Sequence, residues 1–176
     1  MKIINTSITG VIIIEPRLLA MNVAIFLSLS IKKNSKKMFV KRFLYKIMSL
    51  NHLTGLFEGY IIKKPPFAQS KLVRVIKGAV LDVAVDIRKG SPTFGHHVAV
   101  ELTEDNHRQF FIPRGFAHGF SVLSEEVVFQ YKCDNFYAPQ YEGAIAWDDP
   151  DLRIDWRISD NNLILSEKDK STSKYK

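Results

Sequence analysis

The groups from which chemistry could be built are few and scattered. His118 ends the run P-R-G-F-A-H, Tyr131 stands in Y-K-C, Lys71 in Q-S-K-L and Asp169 in L-S-E-K-D. Taken singly, each has an ordinary structural role. Tyr131 reads as a packed sheet aromatic, Lys71 as a solvated strand charge, and Asp169 as a surface acid or a cap. Metal chemistry finds little support. His96 and His97 are adjacent, and neighbours in a strand point to opposite faces. An H-x-H pair is absent, and a cysteine pair of metal-ligand spacing cannot exist with one cysteine. That residue, Cys133, cannot form an internal disulfide. It reads as a small buried side chain in a reduced, cytoplasmic protein.

The elements that must position these groups read as short strands. G-V-I-I-I-E over 10–15, closed by Pro16, is a β-branched strand run. After Pro65-Pro66 come strand candidates over 72–77, 80–86, 97–102, 109–112, 119–122 and 127–132. Several alternate apolar and polar residues, as half-buried strands do. Between them lie Gly78, Lys89-Gly90, Glu104-Asp105-Asn106 and Pro113-Arg114-Gly115, all turn chemistry. Short, evenly spaced strands without intervening helices predict an antiparallel sandwich or jelly roll. A helix is expected only near the C-terminus.

The chain has 176 residues, 46% of them apolar, which suits one folded domain over 1–176 rather than a disordered tail. Its 12 phenylalanines and 6 tyrosines favour sheet. The net charge of +7 would suggest a polyanion partner. Its distribution argues otherwise: residues 18–64 hold nine lysines and arginines against one acid, Glu58, and the remainder is near neutral. The apolar stretch 18–31 is shorter than the ~20 residues a bilayer span needs. It also begins inside the chain without a basic leader. Neither a nucleic-acid partner nor a membrane is expected.

Longer motifs carry a more specific message. P-P-F-A-Q-S-K-L-V-R-V (65–75), D-V-A-V-D-I-R-K-G-S-P-T (82–93), I-P-R-G-F-A-H-G-F (112–120), Y-K-C-D-N-F-Y (131–137), W-D-D-P-D (147–151) and L-S-E-K-D (165–169) stand in this order and spacing. As a set they resemble the dTDP-4-dehydrorhamnose 3,5-epimerase family over about 65–169. The resemblance implies an all-β, cupin-type jelly-roll barrel with short C-terminal helices. It also implies a cytoplasmic homodimer of dTDP-L-rhamnose biosynthesis, acting on a dTDP-4-keto-6-deoxy sugar without cofactor or metal. In that reaction the hydrogens on carbons 3 and 5 are acidified by the 4-keto group. A base removes each, a cation stabilises the enolate oxygen, and an acid returns a proton to the opposite face. By resemblance Tyr131 is the acid, Lys71 the cation near the oxyanion, and Asp169 the carboxylate that orients a histidine base. His118 is a substrate-binding residue, Tyr137 stacks on thymine, and Glu142 and Lys168 lie near the nucleotide-sugar. The P-x-G-x-x-H run ending at His118 is also similar to one half of the metal motif of metal-binding cupins, without the other half.

The base itself is missing. The family pattern R-G-L-H-Y-Q falls on Glu58-Gly59-Tyr60-Ile61-Ile62-Lys63, so Ile61 occupies the histidine position and Glu58 the arginine position. Upstream, Val23 and Ser28 stand where the family has a substrate-contacting arginine and glutamate. The genetic code offers a cause. When the codons of 56–64 are read one frame over, permitted third bases spell I-R-G-L-H-Y-Q-K. The same shift over 20–29 spells D-E-R-G-Y-F-L-E-S, and over 45–49 it spells Q-D-N-E. Residues from about 19 to 63 therefore read as a family segment translated out of frame, which also accounts for the local basic excess. A chain so altered is expected to be impaired as an epimerase. A non-catalytic nucleotide-sugar binder, or a related mono-epimerase or ketoisomerase, are the alternative readings.

Overall fold

The computed structural model describes residues 1–21, 24–28, 44–51, 54–159, 163–165 and 167–170. Over 18–21, 24–28 and 44–51, and at Glu58, Tyr60, Ile61, Glu167 and Lys168, the description is of the backbone. The strands are β1 (Lys2–Asn5), β2 (Ile12–Glu15), β3 (Arg17–Met21), β4 (Ala24–Ser28), β5 (Leu44–Asn51), β6 (Leu56–Lys63) and β7 (Lys71–Lys77). They continue with β8 (Ala79–Asp86), β9 (His97–Thr103), β10 (Gln109–Ile112), β11 (Phe116–Val122), β12 (Glu126–Cys133), β13 (Glu142–Ile145) and β14 (Ile164–Leu165). A 3₁₀ turn over Pro139–Tyr141 and a one-turn helix, α1 (Glu167–Lys170), are the helical pieces among the described residues. None of the described helices is long and apolar enough to cross a membrane.

Two six-stranded arrays face each other. One runs β1-β2-β10-β7-β12-β5; the other runs β13-β6-β11-β8-β9, with β14 added in parallel to β6. The remaining pairings are antiparallel, and β3 and β4 form a separate hairpin. The all-β jelly-roll expectation therefore holds. Alternation explains the layers. Val73 and Val75 of β7, Phe110 and Ile112 of β10, and Val127 and Phe129 of β12 point inward. They meet Val80 and Ala84 of β8, Val100 and Leu102 of β9, and Phe116, Phe120 and Val122 of β11. Each large side chain sealed here contributes roughly 1.5–3 kcal/mol.

The second array is buried on its outer face as well. Leu81, Val83, Val85, Ala117 and Ile145 pack against Leu152 and Trp156 of the C-terminal segment. Trp156 meets Phe57 edge to face at 4.5 Å. Its Nε1 donates to the Trp147 carbonyl, and its own carbonyl accepts from the buried Ser121 hydroxyl. This double burial is why β8 reads as a nearly continuous apolar run. Strands closed on both faces lose the apolar–polar alternation.

The strand expectations after Pro66 hold with shifts of one to three residues at their ends. The stretch 18–64, which carries no readable period, nevertheless contributes β3, β4, β5 and β6. β5 pairs with β12 over its full length, and β6 lies between β11 and β13. Backbone ladders supply these pairings regardless of side-chain pattern. Val23 lies outside the described residues.

Candidate active site

The inner face of β8 carries two carboxylates, Asp82 and Asp86, both fully buried. A buried charge is tolerated only when paired and hydrogen-bonded. Asp86 is satisfied locally: Arg88 donates through its backbone N–H, Nε and Nη2, and Ser91 and Thr93 donate hydroxyls at 2.6 Å. Burial opposes its ionisation, but these donors outweigh it and hold the carboxyl well below the usual carboxylate range. Asp86 thus staples the turn after β8.

Asp82 has a partner from the neighbouring strand. In the β8–β11 ladder Phe120 faces Asp82 and His118 faces Ala84, so His118 and Asp82 are diagonal neighbours on the inner face. His118 Nε2 lies 2.9 and 3.0 Å from the two Asp82 oxygens, and His118 is 6% exposed. A carboxylate only accepts, so Nε2 carries a hydrogen. The other nitrogen, Nδ1, is 3.0 Å from Lys71 Nζ. Lys71 belongs to β7 of the opposite array, so the chain Asp82–His118–Lys71 crosses the barrel interior. Both ring nitrogens of His118 are therefore engaged by protein groups. Among the described residues, no group of three or more His, Cys, Asp or Glu side chains is placed to hold a metal ion.

Tyr131 lies on the same wall as Lys71. β12 pairs with β7 so that Tyr131 faces Val73 and Cys133 faces Lys71. Lys71, Tyr131, His118, Gly59, Gly119, Phe120 and Phe129 line one pocket. An ammonium and a phenol thus enter it from one array, and an imidazole from the other.

Asp169 approaches this pocket at Gly59 of β6. Its carboxylate rests on Gly59: a Cβ added there would lie 1.8 Å from Oδ1 and 2.8 Å from Cγ. Only a residue without a side chain lets the carboxylate come this close. Two residues along β6 is Ile61, whose Cα partner in β11 is His118. The backbone of the position at which a base is expected thus lies beside His118 and two residues from the glycine that Asp169 touches.

A second cluster forms further along β6, where Lys63 lines a separate cleft. Glu142 of β13 faces Lys63, and the two are ion-paired with both side chains largely enclosed. Lys63 Nζ also stands 4.2 Å from the ring centre of Tyr137, which is 70% exposed. The loop carrying Tyr137 is pinned by backbone contacts. Gln69 Nε2 donates to the carbonyls of Asn135 and Phe136, Asn135 Nδ2 to that of Pro66, and Ser70 N–H to the Asp134 carboxylate.

Of the residues singled out from sequence, Lys71, His118 and Tyr131 share one pocket, and Asp169 abuts it through Gly59. Tyr137 and Glu142 are brought together by Lys63, apart from that pocket's lining. The side chain of Lys168 lies outside the described ones. Cys133 is buried at the end of β12. Sequence reasoning missed Asp82, Gly59 and Lys63. For Asp82 a signal existed: a carboxylate at an inward position of an otherwise apolar strand.

Known proteins of one family are similar to this chain. The sequence profile described as dTDP-4-dehydrorhamnose 3,5-epimerase matches residues 5–176. A dTDP-4-dehydrorhamnose 3,5-epimerase of Methanothermobacter thermautotrophicus is 42% identical over 180 residues, covering 97% of this chain and 92% of that protein. The crystal structure of dTDP-4-dehydrorhamnose 3,5-epimerase from Elizabethkingia anophelis superposes with a TM-score of 0.91 at 40% identity, covering 99% of this chain and 96% of that one. The Legionella pneumophila epimerase in complex with dTDP-4-keto-L-rhamnose gives 0.89 at 40% identity, covering 98% and 92%.

Proposed function

The chain belongs to the dTDP-4-dehydrorhamnose 3,5-epimerase family, and from that premise we propose that its pocket binds a dTDP-4-keto-6-deoxy sugar and exchanges protons at carbons 3 and 5. The observation that carries this reading is the cross-barrel link of Lys71 and His118 with Tyr131 in the same pocket. The sugar ring lies between the two arrays. The 4-keto oxygen faces Lys71, whose ammonium takes up the negative charge as a carbon-bound proton leaves. His118 lines the sugar site as a substrate-binding residue, its Nε2–H given to Asp82 and its Nδ1 turned to Lys71. The Tyr131 phenol returns a proton to the same carbon from its own wall, and inversion follows when removal and return occur on opposite faces. Tyr137 offers an exposed ring to the thymine, and Glu142 and Lys168 contact the nucleotide-sugar. The family reaction is an isomerisation that draws on no cofactor. As in the family, the working unit is a cytoplasmic homodimer.

Proton removal is the weak step. Asp169 stands ready to orient a base, but the position beside it in β6 is Ile61, which has no titratable group. Loss of a general base slows such a step by about 10²–10⁴, so the chain is an impaired epimerase. On the out-of-frame reading of residues 19–63, two compensating one-base changes in the coding sequence, rather than a new specialisation, account for that loss. The coding nucleotides test it: their third bases either spell R-G-L-H-Y-Q across 57–63 or they do not.

The enzymatic reading is tested by mixing the folded chain with dTDP-4-keto-6-deoxyglucose in deuterated water. Slow entry of deuterium at the sugar carbons, with dTDP binding retained, is expected. Exchange at both carbons with a turnover typical of enzymes, ~10 s⁻¹, would refute the impairment. Binding with no exchange over days would leave a non-catalytic nucleotide-sugar binder, the reading to which the retained Lys71, His118, Tyr137 and Glu142 would then belong.

A further inference from the structure

We infer that His118, held by Asp82, is the proton-abstracting base of this chain, and that Asp82 is its positioning residue. The inference rests on the proposed reading of the pocket as a 4-keto-sugar site and assigns the residual exchange within it. A base in this pocket must be a group that can accept a proton, sit on the wall opposite the acid, and reach the enclosed space. Tyr131 and Lys71 share one wall. Ile61 cannot accept a proton. Among the described side chains lining the pocket, His118 is the imidazole, and it comes from the opposite array.

The geometry already selects the nitrogen. Asp82 takes the Nε2 hydrogen through both oxygens, at 2.9 and 3.0 Å, which leaves the neutral ring with its lone pair on Nδ1. That lone pair meets the Lys71 ammonium at 3.0 Å. Lys71 carries three N–H donors. When a ketone oxygen enters, Lys71 turns an N–H toward it and releases Nδ1. Nδ1 then removes the hydrogen from the carbon beside the ketone. The C–H bond breaks, an N–H bond forms at Nδ1, and the electron pair moves through the new C=C bond onto the ketone oxygen, which Lys71 balances. The Tyr131 O–H bond then breaks, its proton joins the same carbon from the other wall, and the C=O bond is restored. The imidazolium and the phenolate re-equilibrate through solvent. The Asp82 carboxylate, sealed at 0% exposure, balances the charge that His118 acquires. The same division of labour makes a buried aspartate hold one tautomer of a catalytic histidine elsewhere.

The test uses the full chain, with dTDP-4-keto-6-deoxyglucose in deuterated water, and four variants. His118→Asn is expected to lower deuterium incorporation at least ~100-fold. Asp82→Asn is expected to lower it at least tenfold with KM little changed, and Asp82→Glu to recover part of that loss. Nitrogen-15 spectra should show His118 protonated at Nε2 and bare at Nδ1 in the unaltered chain, with that preference lost in Asp82→Asn. dTDP binding by calorimetry checks that each variant remains folded. A His118→Asn protein that binds dTDP and exchanges at the unaltered rate would overturn the inference. So would a His118 ring found bare at Nε2, a readout independent of whether the variants fold. If the unaltered chain exchanges nothing while Ile61→His does, the inference fails and the epimerase reading stands. If neither exchanges nor binds dTDP, the reading of the pocket fails first.

Discussion

Gly59→Ala separates a structural role for Asp169 from a chemical one. The new Cβ would sit 1.8 Å from Asp169 Oδ1, so the carboxylate must leave the β6 wall. Backbone strain is not the obstacle, because Gly59 does not adopt the left-handed region. The displaced atoms end a short side chain on α1, a helix of one turn whose neighbour is the two-residue β14. Overpacking costs about 1–3 kcal/mol in well-packed cores, and this site yields at the low end, about 1 kcal/mol. In a domain of this size that lowers Tm by roughly 2–4 °C. The chemical effect should be far larger once a base stands at position 61. In an Ile61→His background, the role proposed for Asp169 is to orient the new imidazole, and moving it away should reduce deuterium incorporation at least tenfold, a loss within the range for misplaced catalytic groups of about 10²-fold per ångström. Exchange by the double variant equal to that of Ile61→His alone would refute the role given to Asp169. A Tm loss well beyond 4 °C would show that its contact with Gly59 is chiefly packing.

Asp86→Asn should destabilise the protein by about 2–4 kcal/mol, since it weakens a buried charge held by Arg88, Ser91 and Thr93; denaturant titration reads the loss. Because the folded Asp86 carboxyl is held below its unfolded value, its contribution is complete above about pH 4 and is lost as the pH falls further. Acid unfolding of the aspartate form should therefore be steeper below pH 4 than that of the asparagine form. Tyr137→Ala removes an exposed ring held by a pinned loop. It should weaken dTDP binding about tenfold, the scale of one base stacked on an aromatic side chain, with unfolding unchanged; equal affinities by calorimetry would place the nucleobase elsewhere.

Much of this architecture is legible in the amino-acid order, for identifiable reasons. The strands after Pro66 alternate or carry β-branched runs between Gly and Pro turns, and the structure forms them with small end shifts. β1, β13 and β14 are too short to show a period; β13 and β14 exist because the longer β6 offers them a ladder, and β1 because it pairs with the equally short β2. β5 and β6 have no pattern to read, and their pairing with β12 and β11 comes through backbone groups. The site was legible as a set of motif residues and illegible as contacts. Asp82 and His118 are 36 positions apart and meet only through the β8–β11 register. Gly59 and Asp169 meet through a fold closure that no local spacing encodes. Lys63 reads as one more member of a basic stretch, yet it joins Glu142 to Tyr137.

The central claim is that this is an epimerase barrel whose acid, oxyanion cation and orienting carboxylate surround a position that lost its base. Restoring that base with Ile61→His and following deuterium entry at carbons 3 and 5 of dTDP-4-keto-6-deoxyglucose tests it most directly. A gain of about 10²–10⁴ over the unaltered chain is predicted. No gain, in a variant that still folds and binds dTDP, would contradict the account.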